Sequence, residues 1–126
     1  MSGSDDRARA PRAQVDGWVP EIEEILHRRE LARALGGPEK VARQLASGRL
    51  TVRERIDRLA DPGSFAEIGA LTGFGDYDGA GRLNSILPAN FVAGTARIDG
   101  RTVLLGADDF TVRGGSGDAA IHAKQV

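Results

Sequence analysis

A chain of 126 residues fits one modest domain, and its 17 Lys and Arg against 18 Asp and Glu leave a net charge of −1, which supplies no global attraction for DNA or RNA. The absence of cysteine excludes a disulfide scaffold, a Cys-ligated zinc and a thiol nucleophile, and it suits a reducing compartment. No apolar run approaches the roughly 18 residues that span a bilayer, and the N-terminus lacks the apolar core of a signal peptide, so no membrane association is expected and the expected location is cytoplasmic.

Residues 1–16 are polar, without apolar periodicity, and read as a disordered tail. Arg7, Arg9 and Arg12 are diluted by Asp5, Asp6 and Asp16, which favours a solvated tail over nucleic-acid contact. Residues 17–63 read as a leading helical segment. Pro20 suits a first helical position, and Trp18, Val19, Ile22, Ile25, Leu26 and Ala32 share one face at helical spacing. Glu21, Glu23 and Glu24 precede His27, Arg28, Arg29 and Arg33, the order that complements the helix dipole. Gly36-Gly37 stops this helix. Pro38 opens a second, short one that carries Val41 and Leu45 and ends near Ser47-Gly48. Thr51-Val52-Arg53-Glu54 matches a capping box, in which the Thr hydroxyl accepts from the Glu amide and the Glu carboxylate reaches back. A third helix follows through Ile56 and Leu59 until Asp61-Pro62-Gly63.

Residues 64–126 change character. Ser64–Leu71 predicts a short strand with Phe65 and Ile68 inward, and Gly73–Gly81 predicts a flexible loop. Phe91–Ile98 and Thr102–Leu105 are strand-like, and Asp99-Gly100 between them is a two-residue hairpin signal. Asp109–Val112 can make another strand, Gly114-Gly115-Ser116-Gly117 breaks it, and Asp118–Val126 begins a helix without a stop signal. Three helices and a hairpin have little partner surface for their apolar faces, so the expectation is an incomplete domain.

Two stretches carry a family resemblance. Gly37–Ile56, continuing to Leu59 and Asp61-Pro62-Gly63-Ser64-Phe65, is similar to the helical segment of the biotin-dependent acyl-CoA carboxyltransferase β subunits. Asn90–Arg101, followed by Asp109-Phe110-Thr111-Val112-Arg113-Gly114-Gly115-Ser116, resembles that family's first hairpin and the turn after it. The resemblance spans most of residues 20–126, in the family's order and spacing. It implies an α+β, crotonase-like fold, with residues 64–126 as the start of the N-terminal carboxyltransferase domain. It implies transfer of a carboxyl group from carboxybiotin to a short acyl-CoA such as acetyl- or propionyl-CoA, or the reverse decarboxylation. The implied partners are a biotin carboxyl carrier or biotin carboxylase subunit and further copies of the chain, as a hexamer in the family. Biotin would be carried by the partner and no cofactor bound directly. Glycine-rich turns that stabilise the enolate and the biotin urea oxygen act as oxyanion holes. They are expected beyond Val126, so no catalytic residue is assigned and the chain alone is expected to be inactive.

Within that frame Gly114, Gly115 and Ser116 are candidates for close backbone approach to CoA, the alternative being a tight turn with Ser116 as an N-cap. No Gly-Lys-Ser/Thr follows, so the turn is not a P-loop. Arg49 and Arg53 are candidates for the CoA phosphates. The alternative for these and for Arg55 is a solvated face paired with Glu54 and Asp57. Asp108-Asp109 reads as a turn or a subunit contact, and His27 and His122 lack ligand-spaced companions, so no metal site is expected. Arg113 departs from the residue types often found there in the family. The competing readings are a non-catalytic interaction module docking on full-length partners and an unrelated small α+β binding domain.

Overall fold

The computed structural model describes residues 16–117. The expected tail, apart from Asp16, and the expected helix at 118–126, with His122, lie outside the described residues. A single 3₁₀ turn, Asp16–Trp18, leads into α1 (Val19–Arg33), followed by α2 (Pro38–Ala46) and α3 (Val52–Leu59). Pro20 and Pro38 both stand in first turns, where a missing N–H costs nothing. The capping box of α3 is complete: Glu54 N–H donates to the Thr51 hydroxyl at 3.2 Å, and Thr51 N–H donates to the Glu54 carboxylate at 2.8 Å.

Five strands follow: β1 (Ala66–Ile68), β2 (Gly73–Tyr77), β3 (Leu83–Pro88), β4 (Phe91–Ile98) and β5 (Arg101–Asp108). They form an antiparallel three-stranded sheet in the order β1-β4-β5 and a separate β2-β3 hairpin. Ile98 faces Arg101 across the Asp99-Gly100 turn, and both turn residues have positive φ (49° and 78°), as a type I′ turn requires. Asp61, just beyond α3, accepts both turn N–H groups on its two carboxylate oxygens, at 2.9 and 2.8 Å.

Alternation along the sheet decides what is buried. Val92 of β4 meets Leu35, Val52 and Ile56, with Val41, Phe65 and Ala107 packed around them, and Ala96, on the same face of β4, is also buried. Gly94 lies between Val92 and Ala96, and a Cβ there would overlap the Ala66 carbonyl of β1. Phe65 and Glu67 turn toward the helices. Ile68, expected inside, is therefore on the opposite face and is 56% exposed. Other expectations also change. Gly73–Gly81 is not a loop, because Gly73–Tyr77 pairs with β3. Arg28 of α1 secures that hairpin, donating to the Leu71 and Gly73 carbonyls and to the Tyr77 hydroxyl. Asp109–Val112 is a turn rather than a strand, because the Asp109 carboxylate captures the Thr111 N–H. On α1 only Ala32 is buried, while Val19, Ile22, Ile25 and Leu26, and Trp18 just before the helix, are exposed.

Two stability tests follow. Ile56→Ala should cost about 2–5 kcal/mol, read as a fall in the urea midpoint with little change in slope, since Ile56 is a central member of the core. The Thr51 N–H holds the Glu54 carboxyl below its ordinary value of 4.5. A carboxyl whose pKa is lowered by folding stabilises the native state above its unfolded value and loses that contribution as pH falls through the folded one. Glu54→Gln should therefore flatten the acid limb of the stability profile below the ordinary value. An unchanged limb would show that the capping carboxylate does not contribute.

Candidate functional site

The turn after β5 is built around side chains that are almost completely buried. Asp109 is 1% exposed and Thr111 4%. One Asp109 oxygen accepts from the Thr111 N–H at 2.9 Å and from the Thr111 hydroxyl at 2.7 Å. That hydroxyl in turn accepts the Gly36 N–H at 2.9 Å. A Cβ at Gly36 would overlap the Thr111 carbonyl, so glycine is what lets the α1–α2 connection approach this closely. Asn90, fully buried, holds the far side: its Nδ2 donates to the Val112 carbonyl at 3.2 Å and to the Ser116 carbonyl at 2.7 Å. Between those two carbonyls Arg113, Gly114 and Gly115 are all left-handed, with φ of 48°, 62° and 76°.

Facing this turn is the C-terminal end of α2. Gly48 N–H donates to the Leu45 carbonyl and Arg49 N–H to the Gln44 carbonyl, the paired bonds of a Schellman ending. They fix where Arg49 leaves the helix. Between α2 and the turn lies a cleft of ≈ 460 Å³, bounded by Lys40, Arg43 and Arg49 on one side and by Phe110, Thr111, Arg113 and Gly114 on the other. Four of its bounding residues are cationic, and among the described residues none is a carboxylate. Arg43 also pairs with Glu39 at 3.0 Å, with both side chains well exposed. The cleft runs on past Phe110, 51% exposed, toward Leu50 and Arg55. Arg55 donates to the Asp108 carbonyl and places its guanidinium 5.9 Å from the Phe110 ring centroid.

The candidate residues therefore separate. Arg49 and Gly114 share the cleft, and Gly115 and Ser116 complete the turn behind it. Gly115 abuts the Phe110 ring, and Ser116 gives its carbonyl to Asn90. Arg53 is on the other side of α3, with both Nη groups on the Glu67 carboxylate at 2.9 and 3.2 Å. Pairing within α3 is not what engages these side chains. Glu54 is committed to the cap, Arg53 crosses to β1, and Arg55 crosses to β5. The helical spacing of Lys40, Arg43 and Ser47 marks a single face of α2 and was the available signal for the basic wall. Among the described residues no three His, Cys, Asp or Glu side chains gather to hold a metal ion, and no helix is long and apolar enough to cross a membrane.

Comparison with known proteins agrees with this architecture. The carboxyl transferase domain family matches residues 43–126. The mitochondrial propionyl-CoA carboxylase beta chain of Sus scrofa is 39% identical over 106 residues, covering 82% of this chain and 20% of that one. The methylmalonyl-CoA carboxyltransferase 12S subunit of Propionibacterium freudenreichii subsp. shermanii is 38% identical over 111 residues, covering 83% of this chain and 20% of that one. A hexameric transcarboxylase 12S crystal structure with methylmalonyl-coenzyme A bound superposes with a TM-score of 0.69 at 32% identity, over 84% of this chain and 21% of that one. The chain thus spans about a fifth of the length of these relatives. The fold is that of a crotonase-like α+β carboxyltransferase domain, and the chain belongs to the carboxyl transferase domain family.

Proposed function

We propose that this chain contributes a CoA-binding wall to an acyl-CoA carboxyltransferase, an enzyme that moves a carboxyl group from carboxybiotin on a carrier protein to a short acyl-CoA. The observation that carries the proposal is the cleft between α2 and the glycine turn, where Lys40, Arg43 and Arg49 face Arg113 and, among the described residues, no carboxylate lines the space, in a chain whose net charge is only −1. CoA presents a 3′-phosphate and a diphosphate, and guanidinium groups match phosphate oxygens in charge and geometry. Arg49 is the residue we assign to phosphate, with Gly114 supplying the close backbone wall and Gly115 and Ser116 completing the turn behind it. The exposed ring of Phe110 offers a flat apolar face beside the cations. Family membership supports the substrate class, since the relatives are named for propionyl-CoA and methylmalonyl-CoA. Propionyl-CoA is accordingly preferred over acetyl-CoA.

The cleft would act by uniform binding. The phosphates lie at the opposite end of CoA from the reacting carbon, so holding them lowers the substrate and the transition state together. Arg53 belongs to a different part of the proposal. It reaches phosphate only by leaving Glu67, so its first duty is to hold β1 against α3.

The test is calorimetric titration of the chain with CoA and with 3′-dephospho-CoA. Arg49→Ala should weaken CoA binding by about 1.5–3 kcal/mol, roughly tenfold or more, the usual cost of one charge-assisted hydrogen bond. It should also reduce the preference for the 3′-phosphate. In a complete carboxyltransferase carrying the same change, KM for acyl-CoA should rise while kcat changes less. Equal affinity for the two nucleotides in both wild type and Arg49→Ala would remove the phosphate assignment.

A further inference from the structure

The turn that walls the cleft is conformationally expensive. Three successive residues, Arg113, Gly114 and Gly115, are left-handed, and the first of them carries a side chain that disfavours that region. Their local hydrogen bonds, Gly115 N–H to the Val112 carbonyl and Ser116 N–H to the Arg113 carbonyl, make only one tight turn. Something outside the turn must select it. Asn90, the residue immediately before β4, is fully buried and donates to the carbonyls at both ends, Val112 and Ser116.

The other half of the Asn90 amide shows what the residue is for. Its Oδ1 is buried and has no hydrogen-bond partner among the described residues. Rotating the amide by a half-turn would not repair this, because it would aim that oxygen at two carbonyl oxygens. A buried acceptor without a partner costs stability. Asn90 therefore accepts an unsatisfied oxygen in order to present two N–H groups 22 and 26 residues further along the chain. An apolar residue there would avoid that cost, but it would take this donor from the Ser116 carbonyl and leave the Val112 carbonyl with the Gly115 N–H alone.

We infer that Asn90 is the positioning residue of the Val112–Ser116 turn, holding Gly114 and Arg113 where the basic cleft needs them. It touches no ligand itself and acts through the turn it spans. The consequence for CoA rests on the phosphate-binding reading above, and the experiment separates the two.

Asn90→Asp keeps the side-chain volume but replaces both donors with acceptors, and Asn90→Ala removes them without adding charge. In each variant, amide hydrogen exchange and chemical shifts would be followed by NMR at Gly115 and Ser116, with Thr95 and Leu104 as remote reporters of the sheet. The expected result is exchange at Gly115 and Ser116 faster by roughly tenfold or more, the ratio that losing one or two hydrogen bonds produces, while Thr95 and Leu104 keep their wild-type values. CoA affinity should fall and the preference for CoA over 3′-dephospho-CoA should shrink, which a general loss of stability with an intact sheet would not produce. Faster exchange with unchanged CoA affinity upholds the clamp and overturns the phosphate reading. Unchanged exchange at Gly115 and Ser116 overturns the inference whatever happens to CoA. Should neither variant fold, the wild-type chain still decides: the Asn90 side-chain NH₂ protons must exchange slowly and show nuclear Overhauser contacts to the Val112–Ser116 segment. Free exchange of those protons would overturn the clamp.

Discussion

The hydroxyl of Thr111 joins the two halves of the chain. It accepts from the Gly36 N–H at the end of the first helical turn-off and donates to the Asp109 carboxylate, in a place almost free of solvent. A hydrogen bond shielded from solvent in this way is stronger than its counterpart in water, and each member of the chain polarises the next. Because Gly36 has no side chain, the backbone of the helical segment lies directly on the backbone of the turn. The position of α2, and with it the placement of Arg49 opposite Gly114, depends on that contact. The contact adds a directed polar tie to the apolar contact that Val41 of α2 makes with the core.

The apolar core is small for the length of chain it organises, and long-range polar ties supplement it. Asp61 fastens the tip of the β4-β5 hairpin to the end of α3. Arg28 fastens the β2-β3 hairpin to α1. Arg53 and Glu67 fasten β1 to α3 through a two-bonded pair whose side chains are 25% and 15% exposed. A pair so placed gains little over apolar packing but is costly to break from one side, since the abandoned charge stays in a poorly solvated position. Each tie is specific in direction as well as in strength, and that matters for short strands whose register the core alone would leave loose.

What could be read from the sequence was local. Pro20 and Pro38 at helix starts, the Thr51/Glu54 cap and the Asp99-Gly100 turn each act within a few residues, and each appears where its chemistry places it. The glycine-rich run from Gly73 misled because its composition belongs to loops. Its strand exists through pairing with β3 and through Arg28, which lies 43 to 49 residues away from its partners there. Ile68 and Phe65 could not be sorted without knowing which face of β1 meets α3, and Arg53 reveals that only by pairing with Glu67. For the cleft, Arg49 and the glycine turn were visible as types of residue suited to phosphate. Their meeting belongs to the Gly36–Thr111 contact and the separation of Arg53 to its pair with Glu67 on β1, neither of which a local pattern announces. Asn90 gave no signal at all, because a single asparagine before a strand is indistinguishable from a turn residue until its partners are seen.

The basic cleft also has a cost when it is empty. Lys40, Arg43, Arg49 and Arg113 are brought near one another by folding, with Glu39 beside Arg43, whereas in the unfolded chain the four would drift apart. Like charges assembled in this way oppose the compact state, and the opposition is felt most where few salt ions screen it. The cleft thus couples folding to ionic surroundings: dilute buffer works against the arrangement, salt relaxes it, and a polyanion that settles between α2 and the turn converts a local repulsion into a reason for the two segments to stay together.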